Sequence, residues 1–193
     1  MSSRNIAALV AVLVFAAPAI AGEPDYAVKV TPTEFFSGEL KRLKPHVDFD
    51  AWCFKINLRR SVQCDADVEM WCDGKRVDKP KYGYRRDKQS DELTLSMRQK
   101  FTDGKTEYLV SIGGQKSFGR RIEEPKSSQK VEVEFGPLTI NKPVEIKSVG
   151  GSAIVWAMGA GNGASLDKQD EAERMVKTAP WVLILRLRAE SAE

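Results

Sequence analysis

The chain has 193 residues, of which 42% are hydrophobic and 30% charged, and a formal net charge of only +3. That balance belongs to a folded domain able to bury its own core. It excludes a disordered chain, and net charge gives no sign of a nucleic-acid binder.

The first predicted element is an export signal. Arg4 and the amino terminus precede an unbroken apolar run from Ile6 to Ala17, and Pro18 then breaks it. Ala19 and Ala21 supply the small residues that signal peptidase reads, so residues 1–21 are assigned as a signal peptide and residues 22–193 as one domain. The run is shorter than the roughly 20 residues that span a bilayer, and no later segment is long and apolar enough. The residue after the cut is Gly22 rather than a cysteine, which argues against a lipid anchor. Removal of the leader takes one charge, Arg4, and lowers the net charge from +3 to +2. The expected location is periplasmic or extracellular, with no membrane span after cleavage.

From about residue 26 to residue 156 apolar and polar residues alternate, the signature of half-buried strands. In Ala51 to Leu58, Trp52, Phe54, Ile56 and Leu58 share one face. In Asp65 to Cys72, Ala66, Val68, Met70 and Cys72 share one face, and Asp65, Asp67, Glu69 and Trp71 the other. Antiparallel pairing around Arg60 to Cys64 would set Lys55 opposite Glu69, Arg59 opposite Asp65 and Ile56 opposite Val68. Asp73-Gly74 reads as a short hairpin turn. A second hairpin, Leu93 to Ile112 closed at Asp103-Gly104, pairs Met97 with Val110, Leu95 with Ile112 and Lys100 with Glu107. Further strands are expected at Lys130 to Phe135, Leu138 to Ile140 and Val144 to Val149.

Ala153 to Met158 is apolar without alternation, as in a strand covered on both faces. Asp167 to Ala179 carries apolar residues at Ala172, Met175, Val176 and Ala179, the spacing of a short amphipathic helix capped by Ser165 or Asp167 and stopped by Pro180. Trp181 to Arg188 alternates again and should be the last strand. The predicted fold is all-β and mainly antiparallel: a two-layer β-sandwich, jelly-roll or immunoglobulin-like, with one short helix before its final strand.

Several motifs invite chemistry. Gly159-x-Gly161-x-x-Ala164 imitates a dinucleotide fingerprint, but the acid that follows, Glu190, comes 31 residues after the first glycine, against about 20 in the motif, and no parallel strands follow. No cofactor is expected. His46 is the only histidine, so a catalytic triad or a histidine-based zinc site would have to use it. Its segment reads as a surface loop, and neither a catalytic residue nor a metal site is assigned. Cys53, Cys64 and Cys72 are an odd set, with Cys64 and Cys72 too far apart along one strand to bridge. Asp65, Asp67 and Glu69 could hold a cation or serve as an acid pair together with Asp48 and Asp50. Cross-strand cations make a solvated, charge-paired face the preferred reading.

Trp71 falls on that polar face, and it is expected to be exposed because Asp67 and Glu69 rarely bury. With Tyr82, Tyr84, Arg85 and Arg86 it forms the predicted ligand-binding set, rings for stacking and cations for anionic groups. The leading functional expectation is an exported, non-catalytic binding module for a glycan, an envelope component or a protein partner, with no nucleic-acid ligand. The alternatives are a secreted hydrolase using a carboxylate pair and a purely structural envelope protein.

Overall fold

The computed structural model describes residues 24–78, 84–86, 88–102, 105–113, 118–131 and 133–192. These form two packed antiparallel sheets. The strands are β1 (Val28–Thr33), β2 (Asp50–Leu58), β3 (Val62–Cys72), β4 (Lys75–Arg76), β5 (Tyr84–Arg86), β6 (Ser90–Thr102), β7 (Lys105–Gly113), β8 (Phe118–Glu123), β9 (Glu134–Thr139), β10 (Val144–Ile146), β11 (Ser152–Ala160) and β12 (Trp181–Ser191). One helix, α1 (Gln169–Thr178), precedes β12. The first sheet has the order β10-β1-β2-β6-β7-β8, and the second β4-β3-β12-β11-β9 with β5 also on β3. The chain changes sheet after β2, β5, β8, β9 and β10. A β-sandwich with a helix before its last strand is thus the observed architecture.

The inner faces make the core. Phe54, Ile56, Leu93 and Leu95 of the first sheet face Val68, Met70, Leu183 and Leu185 of the second, and all are buried. Two aromatic pairs bridge the sheets, Trp52 with Trp156 at 5.2 Å between ring centroids and Tyr108 with Trp181 at 5.9 Å. The helix contacts β11 and turns Ala172, Met175 and Val176 inward. Beneath it β11 and β12 are buried on both faces.

The β6–β7 hairpin has the predicted register, with Met97 opposite Val110, Leu95 opposite Ile112 and Lys100 opposite Glu107. Its turn residues, Asp103 and Gly104, lie outside the described residues. The turn at Asp73-Gly74 also forms, both residues having positive φ, 50° and 72°, as a tight two-residue hairpin requires.

The predicted pairing of β2 with β3 is overturned. β2 pairs with β1 and β6, and β3 with β12, β4 and β5. Leu58 and Arg59 still donate their amides to Gln89 and Ala27 beside the first sheet. The chain then turns through Ser61, whose φ is +59°, into the second sheet. Lys55 therefore faces Glu92 rather than Glu69. A three-residue connection serves a sandwich corner as readily as a hairpin, because both faces of each strand find apolar or ionic partners elsewhere.

Three smaller expectations are also corrected. The stretch Glu134–Thr139 is one strand running through Gly136-Pro137. It is accommodated because β9 is an outer strand, where proline's missing donor leaves no ladder partner unmet. Asp167 does not cap α1, which has no side-chain cap; its carboxylate instead accepts the amides of Asn141 and Lys142. β12 is central rather than half-exposed, so its alternation buries Arg186 and leaves Arg188 only partly exposed.

Candidate functional site

The outer face of the second sheet concentrates the chemistry. On β3 the residues Asp65, Asp67, Glu69 and Trp71 share that face. In register beside them β12 places Arg188 opposite Asp65 and Arg186 opposite Asp67, and β4 places Arg76 opposite Trp71. The spacing of two in Asp65-Asp67-Glu69 is matched by the spacing of two in Arg186-Arg188, so antiparallel pairing brings opposite charges together.

Glu69 is fully buried and is the centre of this network. It accepts from the Trp71 indole Nε1 at 2.9 Å, from Arg186 Nε at 3.1 Å and from Arg76 Nη1 at 3.3 Å, and it also pairs with Arg188. Asp67 takes Arg76 Nη2 at 2.8 Å and lies 3.7 Å from Arg188. Arg76 reaches Asp78 at 3.0 Å, and Asp78 in turn accepts the Met70 amide at 2.9 Å. Arg186 pairs with Glu173 of α1 and donates to Ser152 Oγ at 3.3 Å. The network thereby ties β3, β4, β11, β12 and α1 together.

Burial alone would push the Glu69 carboxyl up. The Trp71 indole and the Arg186 and Arg188 guanidiniums outweigh it and hold the group below its ordinary range. Burial likewise opposes the Arg186 charge, but Glu173 and Glu69 more than restore it. Both remain ionised at neutral pH.

The sequence reading of these acids needs one correction. They are charge-paired as expected, but the partners are Arg76, Arg85, Arg186 and Arg188 rather than Lys55 and Arg59, and Asp67 and Glu69 are buried rather than solvated. Two charged residues can bury here because each is met by hydrogen-bonding counter-charges. The arginines were visible in Leu185-Arg186-Leu187-Arg188 as alternation. Alternation alone does not show that Arg186 is buried.

The same fact corrects Trp71. It is half-buried, packs against the core and donates its N–H to Glu69, so it is not the exposed ring expected from its neighbours. Of the other residues in the predicted binding set, Tyr82 lies outside the described residues. Arg85 is 63% exposed at its side chain and bonds Asp65 at 3.1 Å. Tyr84 and Arg86 register with Ala66 and Cys64, whereas Arg85 registers with Asp65. Those partners belong to opposite faces of β3. Asp65 and Trp71 share one face of β3, so the register brings Arg85 to the face that carries Trp71.

Other candidates resolve into packing. A Cβ on Gly159 would lie 2.4 Å from the Trp181 carbonyl oxygen, and Gly161 has φ +103°. These glycines let β11 and the following turn approach β12 and Pro180, a requirement of backbone space rather than of phosphate. His46 is exposed on a 3-10 turn, Lys44–His46. Cys53, Cys64 and Cys72 are buried and are not in disulfides. Among the described residues no group of three or more His, Cys, Asp or Glu is placed to hold a metal ion.

Shallow grooves open to solvent among the described residues include two of about 300 Å³ or more. One, about 360 Å³, lies between α1 and the glycine-rich turn, with Asn162, Ser165, Glu171 and Arg174 among its walls. The other, about 300 Å³, is walled by Lys44, Asp48, Phe49, Asp50, Met97 and Gln99. Asp48 there is paired with Arg98. At the β3–β4 turn, Asp73 accepts Ser127 Oγ at 2.6 Å and both the amide and the hydroxyl of Ser128, at 2.9 and 2.7 Å. Those bonds, the Ser127 hydroxyl first, hold its carboxyl down at about 2.

Compared with known proteins, the chain matches no family model, no curated protein and no solved structure.

Proposed function

We propose that this chain is an exported, non-catalytic β-sandwich that works by binding a component of the cell envelope, a glycan or a protein partner. The observation that supports it is the condition of the acids. Asp65, Asp67, Glu69 and Asp48 each sit against an arginine, so these carboxylates are engaged in ion pairs rather than set as an acid and a base across a cleft. The face that looked like a site is a buried brace for the second sheet. Export rests on the leader-like run Ile6 to Ala17 and the small residues after it.

The test is a retention screen of the purified mature protein on insoluble polysaccharides and on envelope fractions, run beside an assay for newly released reducing ends. Retention without product release is the expected outcome. Release of reducing ends that disappears in Asp50→Asn would instead establish the hydrolase. Trp71→Ala and Arg85→Ala probe the predicted patch. Trp71→Ala should lower the thermal midpoint because its indole bonds a buried carboxylate, whereas Arg85→Ala should leave it nearly unchanged.

A further inference from the structure

The connection from β8 to β9, residues 124–133, carries the chain from the first sheet to the second and passes over the end of β3. No described residue of this connection is buried, although Ile122 just before it is. Its ends are pinned by backbone bonds. The Glu124 amide donates to the Thr106 carbonyl at 3.1 Å, and the Gly161 amide to the Val133 carbonyl at 2.7 Å. A segment that gives the core no side chain owes its place to polar ties. Segments of that kind open at a fraction of the free energy of global unfolding.

Between those pins the ties converge on Asp73, at the turn from β3 to β4. One carboxylate oxygen accepts the Ser127 hydroxyl at 2.6 Å, and the other accepts the Ser128 amide and hydroxyl at 2.9 and 2.7 Å. Ser127 Oγ in turn accepts the Gln129 amide at 2.9 Å. Bonds to an ionised carboxylate are roughly twice as strong as neutral ones. One side chain of the β3–β4 turn therefore fastens the middle of the connection to the second sheet.

Cys72 lies beneath this fastening. Its thiol is buried, donates to the Lys126 carbonyl at 3.7 Å and also meets the Ser127 hydroxyl. Burial pushes the thiol up from its ordinary range, and the Asp73 charge beside it adds to the rise. A thiol so placed is protonated and a poor nucleophile while the connection is closed. Cys53 on β2 and Cys64 at the other end of β3 are buried too, and neither touches the Asp73 fastening. We propose that residues 124–133 form a strap that opens and closes on the folded sandwich, latched by Asp73, and that this movement rather than unfolding governs access to Cys72. In an oxidising compartment, where free thiols are consumed, the latch sets how long this one survives. The inference is independent of what the module binds.

The experiment is alkylation of the mature protein with iodoacetamide at neutral pH, the rate at each cysteine read by peptide mass. Cys72 should react at least about tenfold faster than Cys53 and Cys64. Its rate should hardly change in low urea, because opening a strap exposes little surface, whereas the other two should accelerate with global unfolding. Ser127→Ala with Ser128→Ala removes both hydroxyl donors and leaves the Asp73 charge in place. Cys72 should then react about tenfold faster again, with the other two cysteines and the thermal midpoint nearly unchanged. Asp73→Asn, which keeps a residue tolerant of the positive φ at that turn, should accelerate Cys72 further by also removing the charge beside the thiol. Should these variants fail to fold, amide exchange in the native chain is the second readout, and the Ser128 amide should exchange well before those of β3 and β12. Equal rates and equal urea dependence at all three cysteines overturn the proposal. So does a native Cys72 rate in the folded double-alanine variant, or a Ser128 amide that exchanges only with the strands. Acceleration by Asp73→Asn without any in the double-alanine variant assigns the effect to thiol ionisation and overturns the latch.

Discussion

Glu69 shows what one residue does in this fold. With no exposed surface and three arginines and an indole around it, its charge holds the outer face of the second sheet together. Replacing it by glutamine keeps the shape and removes the charge, leaving Arg186 and Arg188 undercompensated in a buried setting. Breaking a buried pair in this way costs about 3–5 kcal/mol, so Glu69→Gln should lose that much stability at pH 7 in urea titration. The pH dependence has a defined sign. Because the folded carboxyl is held below its ordinary 4.5, its contribution is complete above about pH 4.5 and fades as pH falls through the depressed folded value. The gap between the native protein and Glu69→Gln should be constant near neutrality and should narrow below about pH 4.5. A gap that widened in acid would show that the carboxyl is protonated in the fold.

At the scale of elements, one side chain joins the helix to the sheet. β9 pairs with β11 only from Trp156 to Ala160, which leaves the Ile154 amide and carbonyl, on the side away from β12, beyond that ladder and in need of partners. Gln169, the first residue of α1, supplies both. Its Oε1 accepts the Ile154 amide at 2.7 Å, and its Nε2 donates to the Ile154 carbonyl at 3.0 Å and the Leu166 carbonyl at 2.7 Å. Gln169→Ala orphans those groups beneath the helix, at about 1–3 kcal/mol for each one left buried. A loss of roughly 2–4 kcal/mol is expected, with faster amide exchange confined to Ala153–Val155 and α1. Exchange that accelerated evenly over both sheets would mean that the Ile154 edge of β11 is not where this helix is held. Nothing in the sequence pointed to Gln169, because the need it meets arises only once β9 is laid beside β11 and stops short of Ile154.

For the whole molecule, the sandwich is expected to be stable without covalent ties. Cys53 lies in the first sheet, and Cys64 and Cys72 lie at opposite ends of β3, about 26 Å apart at about 3.3 Å per residue. Dithiothreitol should leave the thermal midpoint unchanged, and a non-reducing peptide map should recover no Cys64–Cys72 peptide. What the sequence by itself determined is local. Alternation set the strands, Asp103-Gly104 and Asp73-Gly74 set two hairpins, and the spacing of Ala172, Met175 and Val176 set the helix. These signals depend on side-chain period and turn conformation, which neighbouring residues define without reference to the rest of the chain. Only the tertiary structure decided that β2 and β3 part into different sheets and that the face bearing Asp67, Glu69 and Trp71 is covered. Burial of a charged face depends on the sum of its partners. Those of Glu69 come from Arg76, Arg186 and Arg188, up to 119 positions away along the chain, a distance over which no local pattern carries information.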